Sequence, residues 1–169
     1  MKERFSMLDD KLVELLNDQV NKEFYSAYLY LSMANYYNEE GLSGFGNWFT
    51  IQAQEERDHA MLFLEYLQNN GAHVELKTVE APKKKFKEFK DPLDESLKHE
   101  RYVTASIHNI YAAASKVKDF RTMQFLDWFV KEQGEEEKTA EDLIKKLELF
   151  GQDGKGLYML DSELASRTY

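Results

Sequence analysis

Cysteine is absent from the 169 residues. That removes disulfides, thiolate zinc sites and iron–sulfur clusters, and it leaves the redox compartment unread. Proline occurs only at Pro82 and Pro92, so long stretches on either side are free of helix breakers. No apolar run approaches the length that spans a bilayer, and the opening MKERFSMLDD lacks the apolar core of a signal peptide. A cytoplasmic protein with no membrane association is therefore expected. Basic residues are outnumbered, 22 Lys and Arg against 31 Asp and Glu, giving a net charge of −9. Phosphate-backbone binding rests on Lys and Arg, so nucleic acid is not an expected partner, and small cations are.

What the chain does have is helical periodicity. Its 43% hydrophobic and 14% aromatic content suits one domain, 1–169, with a substantial core. Helical patterns run from about Leu8 to Asn38, from Phe45 to Asn70 before Gly71, from Leu93 to Lys116, and from Arg121 to Phe150 before Gly151. The breaks are EEGLSG, the proline-bearing stretch GAHVELKTVEAPKKKFKEFKDP, and KVKDF. Helices of this length would be about 40 Å long, the proportions of an elongated bundle. The middle connection is too long for a tight turn, so it is expected to cross the whole bundle between helices 2 and 3. The expected fold is all-α: a ferritin-like four-helix bundle with one long crossover. A short fifth helix follows, on which Leu157, Leu160 and Leu164 share a face. The lysines at 83, 84, 85, 87 and 90 read as part of a solvated loop.

Polar residues sit inside the apolar stripes. At about 100° per residue, Glu23 lies on one face with Leu12, Leu16, Gln19, Ala27, Tyr30 and Ala34. Glu56 and His59 align with Phe45, Phe49, Gln52, Phe63 and Leu67. Glu100 aligns with Leu93, Leu97, Val103, Thr104, Ile107, Tyr111 and Ala114. Gln133 and Glu136 align with Leu126, Phe129, Val130, Ala140, Ile144 and Leu147. Glu23 precedes Glu56 by thirty-three residues, and Glu100 precedes Gln133 by the same interval. Glu-Glu-x-x-His at 55, 56 and 59 thus corresponds to Glu-Gln-x-x-Glu at 132, 133 and 136. The repeat brings four core faces together around one polar centre.

Singly, each residue has a plainer reading: His59 as a hydrogen-bonded core residue, EEE at 135–137 as a solvated surface, Tyr30 as packing. Together, four carboxylates at one level repel unless they are protonated or hold cations. An oxygen-rich set with one imidazole suits Fe(II) or Mn(II). Four negative charges match two divalent ions, and a metal pair can pass two electrons to dioxygen, which favours iron. A metal-free helical scaffold with structural acids remains the alternative from another class.

The stretches NKEFYSAYLYLSMA, QAQEERDHA, KHERYVT and WFVKEQGEEEK resemble those of the bacterial non-haem ferritins, and the resemblance covers essentially the whole chain. It implies an iron-storing ferroxidase that oxidises Fe(II) with dioxygen or hydrogen peroxide and deposits ferric oxide inside a homo-oligomeric cage of twenty-four subunits. Glu23, Glu56 and His59 then resemble the ligands of one iron position, and Glu56, Glu100 and Glu136 those of the second, with Glu56 bridging. Gln133 resembles the supporting amide, and Tyr30 the tyrosine that hydrogen-bonds to the site and supplies an electron. Glu55, Glu132, Glu135 and Glu136 resemble a third iron site, although periodicity turns Glu137 inward sooner than Glu135. Gly134 replaces a bulkier residue often found in this motif. Gln133-x-x-Glu136 in place of a second Glu-x-x-His argues against a haem-bearing bacterioferritin. The lack of Cys argues against a rubrerythrin-type peroxidase. A di-iron peroxidase or oxidase that stores nothing is the competing enzyme.

Overall fold

The computed structural model describes residues 6–82 and 85–169. Lys83 and Lys84, read above as loop, and the first five residues of the opening lie outside the described residues. Five helices follow one another: α1 (Asp10–Glu39), α2 (Ser43–Asn69), α3 (Asp91–Lys116), α4 (Phe120–Phe150) and α5 (Gly154–Leu164). There is no strand among the described residues, and no described helix is long and apolar enough to cross a membrane.

Local chemistry sets the helix ends. Asp9, Asp119 and Asp153 cap α1, α4 and α5, each side chain accepting from a backbone N–H of the first turn. Pro92 stands in the first turn of α3, where a missing N–H costs nothing. Gly41 and Gly71 follow α1 and α2 with φ of 82° and 71°, a backbone region that favours glycine.

Three contacts fix the topology. The Met7 N–H donates to the Asn70 carbonyl at 3.0 Å, so α2 ends where α1 begins. The Tyr37 hydroxyl donates to the Phe89 carbonyl at 2.6 Å, so α3 begins where α1 ends. Arg121 Nη1 donates to Asn70 Oδ1 at 2.8 Å, which places the start of α4 beside the end of α2. The segment between α2 and α3 therefore travels the length of α1. Asn17 fastens it through the His73 carbonyl and the Glu75 N–H, at 2.9 and 2.8 Å, and Phe86 packs on Tyr36 further up.

Two apolar clusters fill the bundle. One contains Leu12, Leu16, Phe63, Leu67, Ile107 and Leu126, and the other Met33, Tyr37, Phe45, Phe49, Leu93 and Leu147. Between them lies a level where Gln19, Glu23, Gln52, Glu56, His59, His99, Glu100, Gln133 and Glu136 are all buried. Close-packed apolar layers lie above and below that level.

The fifth helix is covered by its own bundle. A Cβ on Gly44 would lie 1.7 Å from the Asp161 carbonyl oxygen, so only glycine lets α5 approach α2 this closely. Asp161 Oδ1 accepts from the Phe45 N–H at 2.9 Å, and Leu160 and Leu164 join the core.

Candidate metal centre

The carboxylates reach one another because four helices each contribute a buried polar residue at the same height. Ligand atoms of Glu23, Glu56 and His59 lie within 4.8 Å of one another, and so do those of Glu56, Glu100 and Glu136. Glu56 belongs to both groups. His59 Nδ1 stands 3.5 Å from Glu56 Oε2, with the rings of Trp128 and Phe129 edge-on to its imidazole.

Amides surround the acids and aim their NH2 groups inward. Gln19 Nε2 donates to Glu23 Oε1 at 2.7 Å, and Gln52 Nε2 donates to Glu56 Oε1 and Glu136 Oε2 at 3.1 and 2.9 Å. Gln133 Nε2 donates to Glu100 Oε2 at 3.0 Å, and the Tyr30 hydroxyl donates to the other oxygen of the same carboxylate. The orientation of Gln19 is itself held from outside. Lys22 Nζ donates to Ser106 Oγ, and that hydroxyl donates to Gln19 Oε1, both at 2.7 Å.

Burial governs the titration of the cluster. It raises the Glu23 carboxyl from 4.5 to about 8, with the Glu56 charge adding to the effect. Glu56, Glu100 and Glu136 are raised in the same direction, again mainly by burial, while the Tyr30 donor partly offsets the rise at Glu100. Burial also lifts the Tyr30 hydroxyl well above its ordinary value, so it stays a donor. Glu23 Oε2 is buried and lacks a hydrogen-bond partner. An orphaned carboxylate oxygen beside a histidine and a second acid fits a divalent cation.

The residues of the third expected site are placed differently. Glu55 Oε2 accepts from Arg167 Nη2 at 2.6 Å. Glu135 is 61% exposed and pairs with Lys131 at 3.4 Å, whereas Glu137 turns toward α3 and accepts from Thr104 Oγ1 at 2.6 Å. Glu132 is half-buried, and burial raises its carboxyl. Among the described residues, Glu55, Glu132 and Glu135 do not join a group close enough to share an ion.

Sequence periodicity did not single out His99 and Ser96. Both are buried, His99 Nε2 lying 2.7 Å from Ser26 Oγ and Ser96 Oγ 3.3 Å from the Tyr30 hydroxyl. Burial lowers the His99 imidazole to about 4, so it is neutral at ordinary pH. The adjacency of His99 to Glu100 was the one available signal.

A crossover four-helix bundle with two carboxylate groups sharing one glutamate defines an all-α protein of the carboxylate-centre type. Residues 13–150 match the ferritin family, described as a ferritin-like domain, and the chain belongs to that family. It is similar to the bacterial non-heme ferritins of Staphylococcus aureus (strain USA300) and Staphylococcus haemolyticus (strain JCSC1435). Each is 40% identical over 96% of this chain and 98% of the relative. Its backbone is similar to an open pore ferritin from the hyperthermophilic archaeon Archaeoglobus fulgidus, with a TM-score of 0.93 and 44% identity. That match covers 95% of this chain and 98% of that one. A form of the same archaeal ferritin engineered to be closed gives the same score and identity.

Proposed function

We propose that the chain is an iron-storage ferroxidase: it takes Fe(II) as substrate, oxidises it at the buried carboxylate centre, and deposits it as ferric oxide within a shell of its own copies. The observation that carries this reading is the pair of ligand groups joined at Glu56, one of which contains the orphaned Glu23 Oε2. In it, Glu23, Glu56 and His59 hold one ion and Glu56, Glu100 and Glu136 the other. Four carboxylate charges balance two divalent ions, which offsets the burial and the mutual repulsion that otherwise keep these acids protonated.

The chemistry then balances simply. Two Fe(II) ions lose one electron each, and dioxygen takes up two electrons and two protons to leave as hydrogen peroxide. With hydrogen peroxide as oxidant, each molecule takes up two electrons and two protons and leaves as two waters. Gln19, Gln52 and Gln133 keep the carboxylate oxygens oriented through the change of charge, and Tyr30 holds Glu100 in place. Glu55, Glu132 and Glu135, with Glu136, take the next ion outward.

Aerobic addition of Fe(II) to the purified protein, followed by ultraviolet absorbance and native mass, tests the reading. Rapid growth of an Fe(III) signal and retention of many iron atoms per assembly are expected. Oxidation without retention would make the protein a di-iron oxidase instead, and failure to bind iron at neutral pH would leave only a helical scaffold.

A further inference from the structure

The tail after α5 is fastened at two points along α2. Asn47 Nδ2 donates to the Arg167 carbonyl at 3.1 Å, and the Tyr169 hydroxyl donates to Asp58. Between these anchors the Arg167 guanidinium lies 4.2 Å from the centroid of the Trp48 ring. It donates to the Trp48 carbonyl at 3.3 Å, to Gln52 Oε1 at 3.0 Å and to Glu55 Oε2 at 2.6 Å. A stacked face and three acceptors make a built position, which a lysine would not reproduce.

Two of those acceptors bear on the carboxylate centre. The Gln52 amide is planar, so engaging its Oε1 with the guanidinium turns its Nε2 toward Glu56 and Glu136. Glu55 is one of the acids, with Glu132, Glu135 and Glu136, that the ferroxidase reading assigns to the third ion. A divalent ion on the Glu55 carboxylate would stand against the guanidinium that holds its Oε2, and the two cations repel.

We propose that Arg167 is the resident cation of the third-ion position: its guanidinium occupies Glu55 until a divalent ion displaces it, and it thereby sets the affinity of the third ion relative to the first two. This rests on the proposed reading of Glu23, Glu56, His59, Glu100 and Glu136 as an ion pair's ligands and of Glu55, Glu132, Glu135 and Glu136 as those of the next ion outward. Loading the third position swings the tail away from Trp48 and releases Gln52 Oε1. The tail therefore reports and regulates passage outward from the pair.

Zn(II), which cannot be oxidised, is the probe, titrated calorimetrically into the assembled full-length protein and its Arg167→Gln and Arg167→Lys variants. The third ion should bind about tenfold more tightly in Arg167→Gln, the scale of one lost charged hydrogen bond, with Arg167→Lys in between. Emission from Trp48, read in a Trp128→Phe background so that it is the only indole, should change in the otherwise wild-type chain during the third equivalent. The same equivalent should leave it unmoved in Arg167→Gln. The emission readout keeps the test open should the glutamine variant assemble poorly. Equal third-ion affinity in wild type and Arg167→Gln, or a Trp48 signal indifferent to the third equivalent, overturns the role of Arg167 while the pair's binding stands. No Zn(II) bound at the pair in wild type overturns the ferroxidase reading and this inference with it.

Discussion

The Tyr30 hydroxyl donates to the Glu100 carboxylate across the gap between α1 and α3. With Gln133 on the other oxygen, Glu100 has both oxygens held by donors, unlike Glu23, whose Oε2 has none. Each of the two ligand groups thus has a distinct degree of preparation. Tyr30→Phe removes one donor to Glu100 and leaves the other group untouched. The ion held by Glu56, Glu100 and Glu136 should bind about tenfold more weakly, the worth of a hydrogen bond to a charged group, with the first ion unchanged. Anaerobic calorimetry resolves the two steps, and a uniform loss at both would contradict this separation.

Removing the shared residue should be worse than removing any ligand of one group. Glu56 belongs to both ligand groups, so on the proposed reading Glu56→Ala should lower the initial rate of Fe(II) oxidation by about 100-fold or more. His59→Ala should weaken mainly the ion beside Glu23. Stopped-flow absorbance at matched iron occupancy distinguishes the two variants, and a Glu56→Ala rate equal to wild type would dissolve the paired centre.

The ion-free protein should lose stability as pH rises through neutrality. Glu23 binds its proton up to about pH 8 when folded and only to about 4.5 when unfolded, so its favourable contribution is full below 4.5 and gone above 8. Glu56, Glu100 and Glu136 shift in the same direction. His99 works oppositely: folded at about 4 against 6.5 unfolded, it favours the fold above 6.5 and withdraws that support as pH falls toward 4. The carboxylates outnumber it above pH 6. Scanning calorimetry in chelator should show Tm falling from pH 6 to pH 8, and adding Zn(II) should reverse the slope. A chelated protein that grows more stable over that interval would argue against buried, protonated acids.

Gly134 carries a cost that the site does not require. It lies within the continuous helix α4, and a Cβ built there meets nothing within 4 Å. Gly134→Ala should therefore stabilise the protein by roughly 0.5–1 kcal/mol through reduced backbone entropy in the unfolded chain. Urea unfolding measures the gain. If α4 must flex between Gln133 and Glu136 for ions to move, the same variant should slow turnover after the first oxidation.

The first two helices were the most legible part of the sequence. Every residue aligned with Glu23 and with Glu56 is buried, because their stripes are long and apolar on both sides of the acids. On α3 the reading favoured Leu97, Thr104 and Tyr111, whereas Ser96, His99 and Ile110 are the more buried residues. The partners of Ser96 and His99, Tyr30 and Ser26, come from α1, and an apolar period cannot register a polar residue satisfied by another helix. Leu29 lies off the Glu23 stripe at about 100° per residue, yet it is 1% exposed and packed into the apolar cluster of Met33 and Tyr37. The shared face of Leu157, Leu160 and Leu164 packs on the chain's own core, to which the glycine at 44 admits α5. The position of Arg167 was invisible for a different reason. Its partners Trp48, Gln52 and Glu55 lie more than a hundred residues earlier, and the tail has no period to read.

Assembly is the prediction on which storage depends. With Leu29 inside the bundle, the outward apolar surface of α1 is carried by Tyr28 and Leu31, at 55% and 50% exposure, next to the half-buried Tyr25. Phe24, Ala27, Tyr28 and Leu31 line a groove of about 310 Å³ with Thr50, Ala53, Gln54 and Arg57 of α2. An aromatic ridge beside an apolar groove on one helix pair is the kind of surface that a second copy can bury, and aromatic and arginine side chains are enriched in such contacts. Tyr25→Glu with Tyr28→Glu places two charges there, which a closed contact would have to desolvate without partners. Native mass of the wild type should give a large homo-oligomer, twenty-four subunits on the family resemblance, and the double variant should give smaller species with unchanged helicity by circular dichroism. Those smaller species should still oxidise Fe(II), since every ligand comes from one chain, but the product should precipitate in bulk solution. A wild-type protein that stays monomeric at micromolar concentration would remove storage and leave oxidation as the sole function.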